Sequence, residues 1–159
     1  MQAQELFGVN ICTTLGLLTA TGAETVYDTT VVITYSVNGK GYTKAAVTNG
    51  ATPTTDGNTG SAFTTLAASE GCSLTWALDA SGTVTVYQGS VETLDSDNNF
   101  VIAPSFAGLP DTVTAFAYQV LKNSSAGSTV TIGTSNWNAT GFTNVIQDVL
   151  TMPNRPQEA

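Results

Sequence analysis

The chain reads as an all-β protein: an antiparallel β-sandwich or jelly-roll-like barrel with long loops and extended termini. Three observations predict this. Thr makes up about one residue in six, whereas Lys and Arg together number four, so β-branched residues replace the usual helix formers and favour a pleated, half-buried surface. Apolar and polar residues alternate with period two in several runs, and no 3.6-residue period is sustained. The runs are separated by Asn/Gly and Ser/Gly clusters, which reach the positive φ of tight turns.

A first hairpin is predicted from residues 31–37 and 42–47 around Asn38-Gly39-Lys40-Gly41. A second joins 72–79 to 83–88 through Ala80-Ser81-Gly82, and a third joins 115–122 to 128–132 through 123–127. Further strands are expected at 8–14, 99–103 and 143–150. Alternation puts Leu74, Trp76 and Leu78 on one side of their strand, as it does Val84 and Val86. Phe116, Tyr118 and Val120 form another row, answered by Val130 and Ile132. These rows read as the two inner faces of a sandwich. Residues 48–60 (TNGATPTTDGNTG) lack apolar periodicity and read as a long polar loop, and 61–69 (SAFTTLAAS) as one short helix. Pro153 and Pro156 keep the tail 152–159 out of any ladder. One domain spans 1–159, with an N-terminal arm over 1–7.

The charge balance narrows the function. Net charge is −8, and the cations are Lys40, Lys44, Lys122 and Arg155. A nucleic-acid binder needs a cluster of cations to displace phosphate counterions, and an anionic membrane surface asks the same; neither partner is expected. No apolar run is long enough for a membrane helix, and Met1-Gln2-Ala3-Gln4-Glu5 has no basic leader, so the chain reads as made in the cytoplasm and used without export. Cys12 and Cys72 then read as buried thiols. Charged residues are 10% of the chain, against roughly 25% in an average soluble domain. A surface of Thr, Ser, Asn and Gly sheds water at little cost and suits cover by another protein.

Catalytic chemistry finds no support. The chain has no His, which removes Ser-His-Asp and Cys-His arrangements and most zinc sites. No Gly-rich phosphate loop opens a helix. Asp95-Ser96-Asp97-Asn98-Asn99 resembles the start of a calcium loop, but Phe100 and Phe106 stand where an EF-hand needs Gly and Glu. Glu92, Asp95 and Asp97 with Trp76 and Trp137 are the nearest approach to a glycosidase pair, yet the carboxylates sit in a turn-like segment and Trp76 in a core row. A protein without enzymatic activity, cofactor or metal is expected.

Two stretches carry a resemblance. One is GCSLTWALDASGTVTVYQG over 71–89. The other runs through AGLPD at 107–111, AFAY at 115–118, IGTSN at 132–136 and DVLTMPNRP at 148–156. Together they resemble a family of small structural proteins of tailed bacteriophages, encoded near the capsid genes. The resemblance implies a capsid decoration (cement) protein on the outside of the virion, bound to the major capsid protein and bracing the shell. Symmetric lattice sites favour a homo-oligomer. The expected contacts lie on the arm, the polar loop and the tail: Met1, Phe7, Thr52, Pro53, Thr54, Met152, Pro153, Arg155 and Pro156. The alternative is a tail- or fibre-associated structural or receptor-binding protein, the receptor-binding form using Tyr42, Tyr87 or Trp137 as ligand platforms.

Overall fold

The computed structural model of the chain describes residues 10–22 and 25–156. Among these residues there is no helix, and the nine strands are β1 (Leu18–Thr19), β2 (Val26–Thr29), β3 (Ile33–Val37), β4 (Lys40–Lys44), β5 (Val47–Ala51), β6 (Glu70–Asp79), β7 (Val84–Thr93), β8 (Val113–Asn123) and β9 (Phe142–Asp148). All named pairs are antiparallel, in three sheets ordered β1-β2-β5, β3-β4 and β7-β6-β8-β9. The fold is all-β, as the composition predicts.

Local turn chemistry sets two of the expected hairpins. Asn38 and Gly39 have φ of 51° and 74°, the two-residue geometry that matches the right-handed twist of flanking strands. The turn is therefore tighter than the four residues expected, and β4 starts at Lys40. In the β6–β7 hairpin the Asp79 Oδ1 accepts the N–H groups of Ser81 and Thr83 at 2.8 and 2.9 Å, while Gly82 takes a φ of 80°.

The third expected hairpin does not form. The partner of β8 is β9, with Val120 opposite Val145. Residues 128–132 are not a strand; Val130 instead bridges Leu66, and the two exchange N–H···O bonds of 2.8 and 2.9 Å. Asn123 directs this path, because its Nδ2 donates to the carbonyls of Leu66, Ala67 and Ser128. The same contact replaces the helix expected over 61–69: Phe63 and Leu66 are buried from extended chain. Residues 48–60 are also more ordered than a loop, since β5 occupies their start and Asp56 is buried. Asp56 accepts the N–H of Gln88 at 3.0 Å, and Gly57 donates to Val86 at 2.8 Å. This latches the segment to the edge of β7.

Of the single strands expected, 143–150 corresponds to β9. Residues 11–13 only flank β3, through Thr13 N–H to Thr34 and Ser36 N–H to Ile11, and Gly8 and Val9 lie outside the described residues. Residues 99–103 are irregular apart from a bridge between Phe100 and Leu94.

The rows Leu74/Trp76/Leu78 and Phe116/Tyr118/Val120 are not opposed faces of two sheets, because β6 and β8 are hydrogen-bonded neighbours in one sheet. The second row is also broken. Trp76 pairs with Ala117 and Ala77 with Ala115, so Phe116 is an extra residue in a bulge, and a bulge exchanges the faces beyond it. Phe116 joins the main core with Leu74, Trp76, Leu78, Val86, Leu121, Val130 and Ile132. β1, β2 and β3 supply Leu18, Tyr27, Ile33, Tyr35 and Val37 to the same core, and the Tyr27 and Trp76 rings meet at 5.1 Å. Within this core Trp76 Nε1 donates to Gln119 Oε1 at 2.7 Å, and both side chains are fully buried.

Tyr118 and Val120 face the other way, paired with Thr75 and Ser73. That second face is covered by the strap between β7 and β8, roughly residues 100–110. Ser73 Oγ donates to Ser105 O at 2.8 Å, the Phe106 ring meets Tyr118 edge-on at 5.1 Å, and Ala107 and Leu109 pack on Ala77, Tyr87 and Val113. Gly89 lets the strap close down, because a Cβ there would collide with the Ser105 carbonyl. With both faces covered, residues 71–78 of β6 are buried without alternation.

Candidate functional site

The strap brings the C-terminal tail onto the sheet. After β9, Val149 donates to Phe116 O at 2.9 Å and Leu150 O accepts from Cys12 N–H at 3.0 Å. Met152 then borders an open cavity of about 230 Å³ with Asn10, Leu109, Pro110 and Asp111. Further along, Asn154 and Arg155 border a second cavity of about 380 Å³ with Ile102, Pro104 and Ser105. The tail thus rests on the chain's own strap as far as it is described.

The expected contact residues fare unequally. Met1 and Phe7 lie outside the described residues. Thr52 is a correction: it is 4% exposed, its N–H donates to Thr25 O, and its Oγ1 is buried without a partner, so it offers nothing to another molecule. Pro53 is half-buried, with its carbonyl against Gly133, and Thr54 is exposed. In the tail Met152, Pro153 and Pro156 are half-buried and Arg155 is exposed. Arg155 and Met152 therefore share one face of the molecule with the strap, while Pro53 and Thr54 sit on the segment that Asp56 latches to β7.

Exposed apolar side chains mark surfaces that were not singled out from the sequence. Val101 and Ile102 are each 66% exposed on the strap, and Ile102 borders the same cavity as Arg155. Leu15, Leu17, Val31 and Val32 are 39–50% exposed, and Thr14 ties their two segments together by donating to Val32 O and accepting from Thr34 N–H. Both pairs, Val31-Val32 and Val101-Ile102, lie outside the strands and expose both members, which alternation within a strand does not foretell.

The aromatic platforms needed by a sugar- or receptor-binding groove are largely occupied inside. Trp76 is fully buried, Tyr87 is 3% exposed over Gly57, and Trp137 is 4% exposed with its Nε1 donating to Val26 O. Tyr42 is half-buried and stacks on Tyr35 at 5.8 Å. The acidic turn is satisfied by its own backbone: Asp95 Oδ1 accepts the N–H groups of Asp97 and Asn99. Among the described residues no group of three or more His, Cys, Asp or Glu side chains is placed to hold a metal.

Titration shifts follow packing. Burial pushes the Cys72 thiol up to about 12, and burial also raises Cys12; both cysteines are free. Burial raises Asp148 against the N–H bonds of Leu18 and Leu17. Burial also acts upward on Asp79, but hydrogen bonds from Ser81 and Thr83 outweigh it and hold the carboxyl low. None of these groups is among the residues that line the two cavities described above. Comparison with protein-family models, with curated proteins and with solved structures returned no match.

Proposed function

We propose that this chain is a structural protein of a bacteriophage virion: a capsid decoration (cement) protein that binds the major capsid protein on the outer shell and works as a homo-oligomer. The observation that carries the reading is the two-thirds-exposed pair Val101-Ile102 on a strap anchored to the sheet, with Ile102 bordering one cavity with Asn154 and Arg155 of the tail. Such a ridge suits shallow contact with a repeating surface, and repetition across a lattice multiplies weak contacts into firm attachment. The low charge density and net charge of −8 support it further, since an acidic outer layer keeps particles apart. The resemblance over 71–89 and 107–156 points the same way. The receptor-binding alternative draws less support, because Tyr87 and Trp137 are inside.

Quantitative mass spectrometry of purified particles tests the reading. A copy number comparable with the major shell protein is expected, and Val101→Asp/Ile102→Asp should lower occupancy without unfolding the chain. A few copies per particle would move the protein to the tail. Absence from particles would end the virion reading.

A further inference from the structure

Among the described residues the sheets end in several edges, and all but one of these are covered, interrupted or very short. The outer side of β7 is met by Gly57, Ser105 and Val101, whose backbones bond Val86, Ser90 and Thr93. The outer side of β3 is flanked by Ile11 and Thr13. Beside β9, Leu18 N–H donates to Asp148 Oδ1 and Asn144 donates to Ala20 O. β1 has two residues, and β5 is kinked by Asn49 at a φ of 52°. The edge left straight and open among the described residues is β4, whose one ladder partner is β3.

The register defines what β4 offers. A two-residue turn makes Val37/Lys40 a hydrogen-bonded pair, so bonding alternates through Tyr35/Tyr42 and Ile33/Lys44. The N–H and C=O of Gly41 and Thr43 consequently point away from β3, and both residues are exposed. On the face shared by alternate residues stand Lys40, Tyr42 and Lys44, with the Lys40 ammonium 5.5 Å from the Tyr42 ring centre. Two of the four cations of a chain with net charge −8 thus lie two positions either side of one tyrosine on an open edge.

We infer that the β4 edge is a docking site for an extended acidic segment of another protein, which adds a strand by pairing with Gly41 and Thr43 and sets carboxylates against Lys40 and Lys44. Main-chain bonds supply the attachment in such strand addition, and alternate side chains supply the choice of partner. A second copy of this chain is the wrong occupant. Antiparallel β4–β4 pairing in the full-length register, centred on Tyr42, would set Lys40 opposite Lys44 twice, and like charges directly across a ladder are destabilising. Edge lysines are a known guard against self-pairing; here the same two charges select an acidic strand. The inference is independent of where the protein works.

An NMR titration of the full chain tests it with two short synthetic peptides, one alternating Glu with Val and one alternating Lys with Val. The Glu peptide should shift the Gly41 and Thr43 amides and slow their hydrogen exchange, and the Lys peptide should leave them unmoved. Thr43→Pro removes only an outward donor, a position where an edge strand tolerates proline. It should weaken Glu-peptide binding by about tenfold or more, a loss of ~1.4 kcal/mol. Lys40→Glu/Lys44→Glu, which touches no backbone group, should weaken it at least as much. Equal response to the two peptides, no response to the Glu peptide, or Glu-peptide binding unchanged in either variant would overturn the inference. So would sedimentation showing a dimer of the parent chain that Thr43→Pro dissociates.

Discussion

The buried pair of Trp76 and Gln119 allows a quantitative test of the core. The indole N–H is a donor only, so the 2.7 Å contact fixes Oε1 toward it. The amide Nε2 then points into the core without a partner. Gln119→Leu removes that unpaired donor, a gain of about 1–3 kcal/mol, but leaves the indole N–H unpaired at a cost of similar size; the net change should be small. Trp76→Phe creates space and leaves the Gln119 amide unpaired at both ends, so it should cost more than its lost volume alone. In the double variant no polar group is left widowed. It should therefore be more stable than the sum of the single changes by about 1–3 kcal/mol. Equilibrium urea denaturation of the four proteins, with unchanged m-values, measures this coupling. Additivity to within about 0.5 kcal/mol would refute the bond and the argument built on it.

Three further outcomes follow from the geometry. Gly89→Ala drives a methyl into the Ser105 carbonyl; a loss of about 1–3 kcal/mol and faster hydrogen exchange at Ser90 are expected, and parent-like exchange would show that the strap does not seat there. Burial raises the folded-state pKa of Asp148 above its usual value, so the folded chain binds the extra proton and stability falls as pH rises from the ordinary carboxylate range through the raised value. Asp148→Asn keeps an oxygen for Leu18 N–H, so a flatter urea-midpoint profile over that window and a higher midpoint at neutral pH are expected; an unaltered profile refutes the assignment. With Cys72 pushed up to about 12 and Cys12 also raised, both thiols should resist a thiol reagent at neutral pH until denaturant is added. Rapid labelling of the native chain would contradict their burial.

The elements readable from the sequence are those whose cause is local. Asn38-Gly39 and Asp79 to Gly82 specify their turns with their own side chains and φ preferences, and the strands around them follow. Leu74, Trp76 and Leu78 keep their expected face because the extra residue of the bulge beside them lies on β8 and not on β6. What escaped reading depends on partners far along the chain. Ser128 to Ile132 alternates like a strand, but Asn123 turns it toward Leu66. The row through Phe116 looks continuous, and only pairing with β6 reveals the extra residue that sends Tyr118 to the opposite face. The spacing of Phe63 and Leu66 matches a helical turn equally well as two contacts from extended chain. For the contact surface, Arg155 and Met152 were singled out and share a face with the strap, whereas Thr52 is drawn inside because it follows β5 directly. Val101 and Ile102 were expected within a strand, but the chain there keeps only the Phe100–Leu94 bridge and one bond from Val101 N–H to Thr93 O, and both side chains are exposed.

The placement of β6 at the centre of its sheet also shapes the time course of folding. Its hairpin with β7 closes over a few residues, an event on the microsecond scale. Its other neighbour, β8, begins at Val113 and reaches it only after the intervening strap has been spanned. Non-local pairing of this kind slows all-β chains to milliseconds or seconds. During that interval a formed β6–β7 hairpin presents the apolar edge from Cys72 to Leu78 to any other chain. Refolding yield should therefore fall as protein concentration rises, even though the finished molecule buries that strand completely.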